Sequence, residues 1–201
     1  MKTNKHVIWD FVSKNQKRFQ ELADKVWSTP ETCYSEQNSM SAHVDELIYH
    51  GFSVTKGIAN IPTAVVGEYG TDGPIIAFLG EYDALAGLSQ KADVFHQDPV
   101  KKGENGHGCG HNLLGSASMQ AAVALKEWLK DSNLPGVVRY YGCPAEEGGA
   151  AKTFMVRDKI FKDVDVAITW HPGCLPGIVK GASLAHCRVD FTFEGRASPA
   201  A

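Results

Sequence analysis

The chain has 201 residues, 43% of them hydrophobic and 21% charged, with a formal net charge of −3. That balance suits a globular core and supplies no basic field for nucleic acid. Residues 1–6 lack the apolar stretch of a signal peptide and no apolar run approaches membrane-spanning length, so a membrane is not an expected partner either. Five cysteines, an odd number at irregular spacing, fit reduced thiols in a cytoplasmic protein better than a disulfide framework.

In residues 6–27, Val7, Ile8, Phe11, Phe19, Leu22, Val26 and Trp27 recur at helical spacing and predict a long amphipathic helix, which Thr29-Pro30 ends. A second helix is expected over 35–50, with Met40, Val44, Leu47 and Ile48 on one face and Gly51 as its C-terminal cap. The period then changes to extended runs at 53–55, 63–68 and 74–79. The short turn 69–73 predicts that the last two pair antiparallel. A polar loop of roughly twenty residues follows, a length usually tied to function or motion.

A helix over 113–130 is predicted next, with Asn112 as N-cap and small residues that allow close packing on a sheet. A strand at 136–141, a short helix at 150–160 and a strand at 164–169 complete a strand–helix–strand alternation. The fold class is therefore α/β, a mixed, largely parallel sheet flanked by helices. Residues 184–194 alternate Leu184, Cys187, Val189, Phe191 and Phe193 with polar residues, as a half-buried strand would. Because that strand has no successor, residues 1–183 read as one domain and 184–201 as the first strand of a second.

Chemistry concentrates in three stretches. In Gly106-His107-Gly108-Cys109-Gly110-His111-Asn112, a glycine between thiol and imidazole lets Cys109 and His111 enter one cavity. Pro144-Ala145-Glu146-Glu147 and Trp170-His171-Pro172 each follow a predicted strand, and Asp83 follows the strand ending at Leu79. Ligands of open sheets lie beyond the carboxyl ends of strands, so topology gathers these residues at one edge. Cys109, His111, His171 and one of the two glutamates form a donor set that suits zinc and accommodates manganese or cobalt. The other glutamate is free to act as a base, and sequence alone does not order the pair. A closed structural zinc site remains an alternative, as does a non-catalytic metal-binding or interaction fragment that pairs with a separate second half. His107 is expected to hydrogen-bond locally, Cys143 and Cys174 to be ordinary thiols, and His43, His50, His96 and His186 to be ordinary histidines.

Four ordered motifs, Gly80-Glu81-Tyr82-Asp83-Ala84-Leu85, His107-Gly108-Cys109-Gly110-His111-Asn112, Pro144-Ala145-Glu146-Glu147-Gly148 and His171-Pro172, resemble those of the M20 family of metallopeptidases and amidohydrolases. The resemblance implies a zinc-peptidase-like catalytic domain, here incomplete, interrupted by an inserted α+β lid that also mediates dimerisation. It implies two divalent ions per complete site, manganese or zinc, with Cys109, His111, Glu147 and His171 at metal positions. It further implies Glu146 as general base and Asp83 as the acidic residue that orients a ligand imidazole from behind.

The implied reaction is hydrolysis of an amide joining an acyl or aminobenzoyl group to an amino acid. Substrate-binding residues are not indicated. Family members are about twice as long and carry a further metal-binding histidine later in the chain. The 201 residues alone are therefore expected to be inactive and the full-length form to be a homodimer or heteromer, with a separate carboxyl-terminal partner as the alternative for this fragment. Pro199 stands where the family usually has histidine.

Overall fold

The computed structural model describes residues 4–178, 184–185, 187 and 189–196. Helix α1 (Asn4–Trp27) buries Phe19, Leu22, Ala23 and Val26 along one stripe and packs chiefly on a later helix, α3 (His111–Asp131). Helix α2 (Gln37–Tyr49) ends as the sequence predicts. Gly51 takes φ +77°, its N–H donates to Ile48 O, and Phe52 N–H donates to Leu47 O, which satisfies the last turn's carbonyls and drops Phe52 into the core.

Five strands, β1 (Ser53–Lys56), β2 (Val65–Tyr69), β3 (Ile75–Gly80), β4 (Val137–Gly142) and β5 (Val166–Ile168), form one sheet in the order β1-β2-β4-β3-β5. The β1–β2 and β2–β4 pairs are antiparallel, and β4–β3 and β3–β5 are parallel, so β2 runs against the other four. The sheet is thus mixed and flanked by helices. One pairing expectation fails: β2 and β3 are not neighbours, because β4 lies between them. β4 is buried at all positions but Arg139, and such a strand belongs at the centre of a sheet. The connection 70–74 steps across its start. Gly70 and Gly73 both sit at φ +95°, and a Cβ at either would fall 2.3 Å from Gly136 O or 2.8 Å from Gly136 N.

Helix α3 (His111–Asp131) begins at Gly110, in the left-handed region at φ +84°, instead of at an Asn112 cap. Asn112 lies inside the first turn, its amide aimed at Ala23 O. Helices α1, α2 and α3 cover one face of the sheet, where Phe78, Val138 and Tyr140 meet Phe19, Leu47 and Met119. On the opposite face Ala77 and Tyr141 pack with Met155 of helix α5 (Ala151–Arg157), which a four-residue turn of helix, α4 (Glu146–Gly149), precedes.

The predicted strand at 184–194 is not formed among the described residues, and Leu184, Phe191 and Phe193 are almost fully exposed. Its described residues have no ladder partner, and their apolar side chains find no surface to cover. His186 and Pro199 lie outside the described residues. No helix among the described residues is long and apolar enough to cross a membrane.

Close approach of α3 to the sheet rests on Gly115, where a Cβ would meet Glu81 O at 2.4 Å and His43 Nε2 at 2.8 Å. Gly115→Ala should therefore lower thermal stability by about 1–3 kcal/mol, against the gain of up to ~1 kcal/mol that helix propensity alone predicts. A thermal melt decides the sign. His43 is wholly buried between the rings of Tyr82 and Tyr140, and burial pushes its pKa down to about 4. The unfolded chain then binds the extra proton between about pH 6.5 and 4, so stability is undiminished above 6.5 and falls by about 3 kcal/mol on acidification through that window. His43→Gln, which keeps an N–H for Ser39 O, should flatten that part of a melting-temperature–pH profile.

Candidate metal centre

Strands β4, β3 and β5 are adjacent and parallel, so the segments that follow them emerge on one side. The segment after β3 carries Glu81 and Asp83, that after β4 carries Glu146 and Glu147, and that after β5 carries His171. The long loop returns to this edge through an antiparallel bridge, Leu85 to Gly106, and turns at Gly110 to place Cys109 and His111 at the start of α3. Gly110 also leaves room for Pro172, which a Cβ there would touch at 3.0 Å. The glutamate turn is held from below. Ala145 and Ala150 bracket α4 in left-handed conformations, Ala145 N–H donates to the buried Glu36 Oε1, and Tyr34 Oη donates to Gly149 O at 2.6 Å.

The side chains named from the sequence meet. His111 Nδ1 donates to Asp83 Oδ1 at 2.9 Å, which leaves the lone pair of the neutral ring on Nε2. Around that nitrogen stand Glu81 Oε2 at 3.0 Å and Glu146 Oε2 and Glu147 Oε1 at 3.9 Å each. His171 Nδ1 donates to Pro172 O, and its Nε2 lies 3.2 Å from Cys109 Sγ; the two imidazoles meet edge to face at 5.8 Å. Donor atoms of Cys109, His111 and His171 lie within 4.8 Å of one another, as do those of Glu81, His111 and Glu146. Asp83 ties the parts together: its second oxygen accepts Glu147 N–H at 2.9 Å and faces the Cys33 thiol at 3.7 Å.

Burial alone would raise the Asp83 pKa, but the His111 ring and the Glu147 N–H hold it below the usual carboxylate value. For His111 burial acts downward and is outweighed by Asp83, Glu81 and Glu147, so its pKa is raised. Burial, with Glu147, Glu146 and Glu81 adding repulsion, pushes the Cys109 thiol up to about 12. Without a cation among these carboxylates the thiol keeps its proton, and a metal must displace it.

Three buried atoms have no hydrogen-bond partner and converge here: His111 Nε2, Glu81 Oε2 and Glu147 Oε1. Glu81 Oε2 and His111 Nε2 are close but not aligned for a hydrogen bond. Polar atoms are not left bare in a protein interior without cause, and a lone-pair set of nitrogen, oxygen and sulfur is what a divalent ion requires. The residues fit such an ion.

His107, as expected, hydrogen-bonds instead of joining the cluster, its Nε2 donating to Val26 O. Cys143 is buried, its thiol donating to Tyr141 O, and Cys174 is exposed. A cleft of about 230 Å³, lined by Trp27, Leu88, Val100 and His107, adjoins the cluster through Gly106–Gly108 without including its donor atoms. Sequence reasoning missed Glu81. Its signal was its position two residues before Asp83, on the same side of the segment leaving β3.

No family model matches the chain. It is 47% identical over 194 residues to the B-type subunit of p-aminobenzoyl-glutamate hydrolase from Escherichia coli K12, covering 96% of this chain and 40% of that protein. To the A-type subunit of the same hydrolase it is 33% identical over 144 residues, covering 66% of this chain and 32% of that one. The chain thus spans two fifths or less of these relatives. Among solved structures, a Bacillus subtilis dinuclear metal-binding peptidase of the M20 family superposes with a TM-score of 0.63 at 22% identity, over 77% of this chain and 42% of that one. With 47% identity to a hydrolase polypeptide over 194 residues, and a fold shared with a peptidase of that family, the chain belongs to the M20 family of metallopeptidases and amidohydrolases.

Proposed function

We propose that this chain carries most of the metal centre of an amidohydrolase that cleaves an amide between an acyl or aminobenzoyl group and an amino acid. The observation behind it is the convergence of buried, unpartnered lone pairs from His111 and Glu147 beside the Cys109–His171 pair. In this reading Cys109, His111, Glu147 and His171 are the ligands, and Asp83 fixes the His111 ring so that Nε2 faces inward. When bound, a divalent ion supplies the positive charge that acidifies water and polarises a carbonyl. Thiolate, imidazole and carboxylate together suit zinc and accept manganese, and we extend to the complete site the two ions named for the Bacillus subtilis structure.

The two glutamates divide by exposure. Glu147 is 18% exposed and its Oε1 is buried, whereas Glu146 is 44% exposed and stands on the open side. Glu146 there takes a proton from the attacking water and returns it to the departing nitrogen as the C–N bond breaks, giving a carboxylate and an amine. An aminobenzoyl-glutamate-type substrate follows from the relative's name. Free thiols at all five cysteines suit the cytoplasm.

A second reading concerns partnership. Edge strand β5 exposes Val166 and Ile168, and Trp170, Leu175 and Ile178 beyond it are exposed as well. A bare apolar edge of this kind recruits further strands. We assign residues 1–183 to the catalytic domain and 184–201 to the start of a lid and dimerisation domain. The covering strands then come from a longer form of the chain or from a separate carboxyl-terminal partner, and the native assembly is a homodimer or a heteromer of two related polypeptides.

Metal analysis after dialysis tests the ligands. The 201-residue chain should retain Mn²⁺ or Zn²⁺, and Cys109→Ser or His171→Ala should weaken retention about tenfold or more. Failure of the unaltered chain to bind either ion would overturn the reading. In a full-length protein carrying this segment, Glu146→Gln should keep the metal while kcat falls by about 10²–10⁴. The 201-residue chain by itself should show no turnover of aminobenzoyl-glutamate. Hydrolysis by it that Glu146→Gln abolishes would sink that expectation.

A further inference from the structure

Glu81 has no part in the proposed ligand set, yet of the three glutamates around the inward nitrogen of His111 it stands nearest. It enters from the segment after β3 and is 6% exposed. One oxygen, Oε1, receives the ammonium of Lys152 from α5. The other, Oε2, is buried without a hydrogen-bond partner and lies 3.0 Å from His111 Nε2, itself buried and unpartnered. A carboxylate placed only to pair with Lys152 would turn its second oxygen to a donor or to water. Here that oxygen lies close to a ring nitrogen with which it is not aligned for a hydrogen bond, and both atoms stay without a partner unless a cation stands between them.

The spacing fits a shared cation. Two donor atoms, each about 2.0–2.2 Å from one ion, stand about 2.8–3.5 Å apart for angles between square and tetrahedral. The observed separation falls inside that range. Glu146 also offers an oxygen to this group, within 4.8 Å of the others.

We propose that Glu81 Oε2 is a ligand of the same divalent ion as His111 Nε2, with Lys152 holding its other oxygen. This rests on the reading of His111 as a ligand. Glu81 then binds through one oxygen only, since Lys152 occupies the second. Lys152 also offsets one of the four carboxylate charges that Glu81, Asp83, Glu146 and Glu147 bring to the cluster. The inward edge of the site is thereby built wholly from the segments after β3 and β4 and the start of α3.

Cobalt(II) reads the donor set directly, because its visible absorption changes with the atoms bound. Titration of the purified 201-residue chain with Co²⁺ alone gives affinity from calorimetry and donor geometry from the spectrum, with no substrate involved. Glu81→Gln, isosteric and still able to hydrogen-bond Lys152, should weaken binding about 10–100-fold and shift the absorption bands. Glu81→Asp keeps the charge but draws the carboxylate back by one methylene, and it should change both readouts in the same direction. If both variants keep the parent's affinity and spectrum while Glu147→Gln releases the ion, the Glu81 assignment is wrong and the proposed function stands. Absence of Co²⁺ binding by the parent chain overturns both. Should circular dichroism show Glu81→Gln unfolded, Glu81→Asp decides alone, an unchanged spectrum being the overturning result.

Discussion

The hydrogen bond between Asp83 and His111 is the contact on which the remainder of the site depends. Its two atoms belong to the segment after β3 and the first turn of α3, which are brought side by side across the sheet. The second oxygen of Asp83 accepts from the backbone of Glu147, so one carboxylate sets the distances among three separate segments. A wholly buried aspartate is costly unless paired, and here two donors lower its pKa in spite of burial. The same pairing engages Nδ1 of His111 and leaves Nε2 as the nitrogen that points toward the glutamates.

The arrangement concentrates like charge in a way that packing alone does not justify. Glu81, Asp83, Glu146 and Glu147 face one imidazole, with Lys152 the cation paired to Glu81. Leaving a buried charged oxygen without a partner costs about 1–3 kcal/mol or more, and both Glu81 and Glu147 do so. Such atoms gathered at the carboxyl ends of three parallel strands support the proposed cation site. Away from the cluster, one charged group on β4 is closely satisfied. Arg139, on the outer face of β4, reaches Glu68 and makes a two-pronged bond to Asp163 at 2.8 Å.

The sequence made some of this legible and concealed the rest, for physical reasons. Local signals were strong: the α1 stripe, Gly51 with Phe52 at the end of α2, and the small residues of α3 each state a backbone or packing requirement by themselves. The gathering of Asp83, Cys109, His111, the glutamate pair and His171 was also legible, because strand–helix–strand alternation forces parallel strands and so aligns their ends. Pairing order was not. A five-residue turn favours a hairpin, and only the burial of β4 on both faces, together with the clearance that Gly70 and Gly73 give Gly136, shows that a third strand separates β2 from β3. Gly110 displaced Asn112 as the helix start because the turn needed φ +84° more than it needed a side-chain cap. Glu81 was concealed because a lone glutamate after a strand looks like any solvated one. What marks it is the bare oxygen, visible only in three dimensions.

What aims Glu81 and Asp83 is the residue between them. Tyr82 is fully buried with Val26, Met40, Val44 and Val65, and its hydroxyl donates to Thr63 O. With that ring anchored on the helix side, its two acidic neighbours are turned the other way, toward His111. Strands β3 and β4 end opposite each other in glycine, and the reason is the same ring layer. A Cβ at Gly80 would strike the Tyr140 hydroxyl at 2.3 Å, and one at Gly142 would reach Tyr82 at 2.8 Å. Charges that repel one another cannot hold their own positions, so an apolar anchor beneath them must. The tyrosine layer fixes the acidic residues in place by packing alone, which is the preorganisation that the proposed metal site requires.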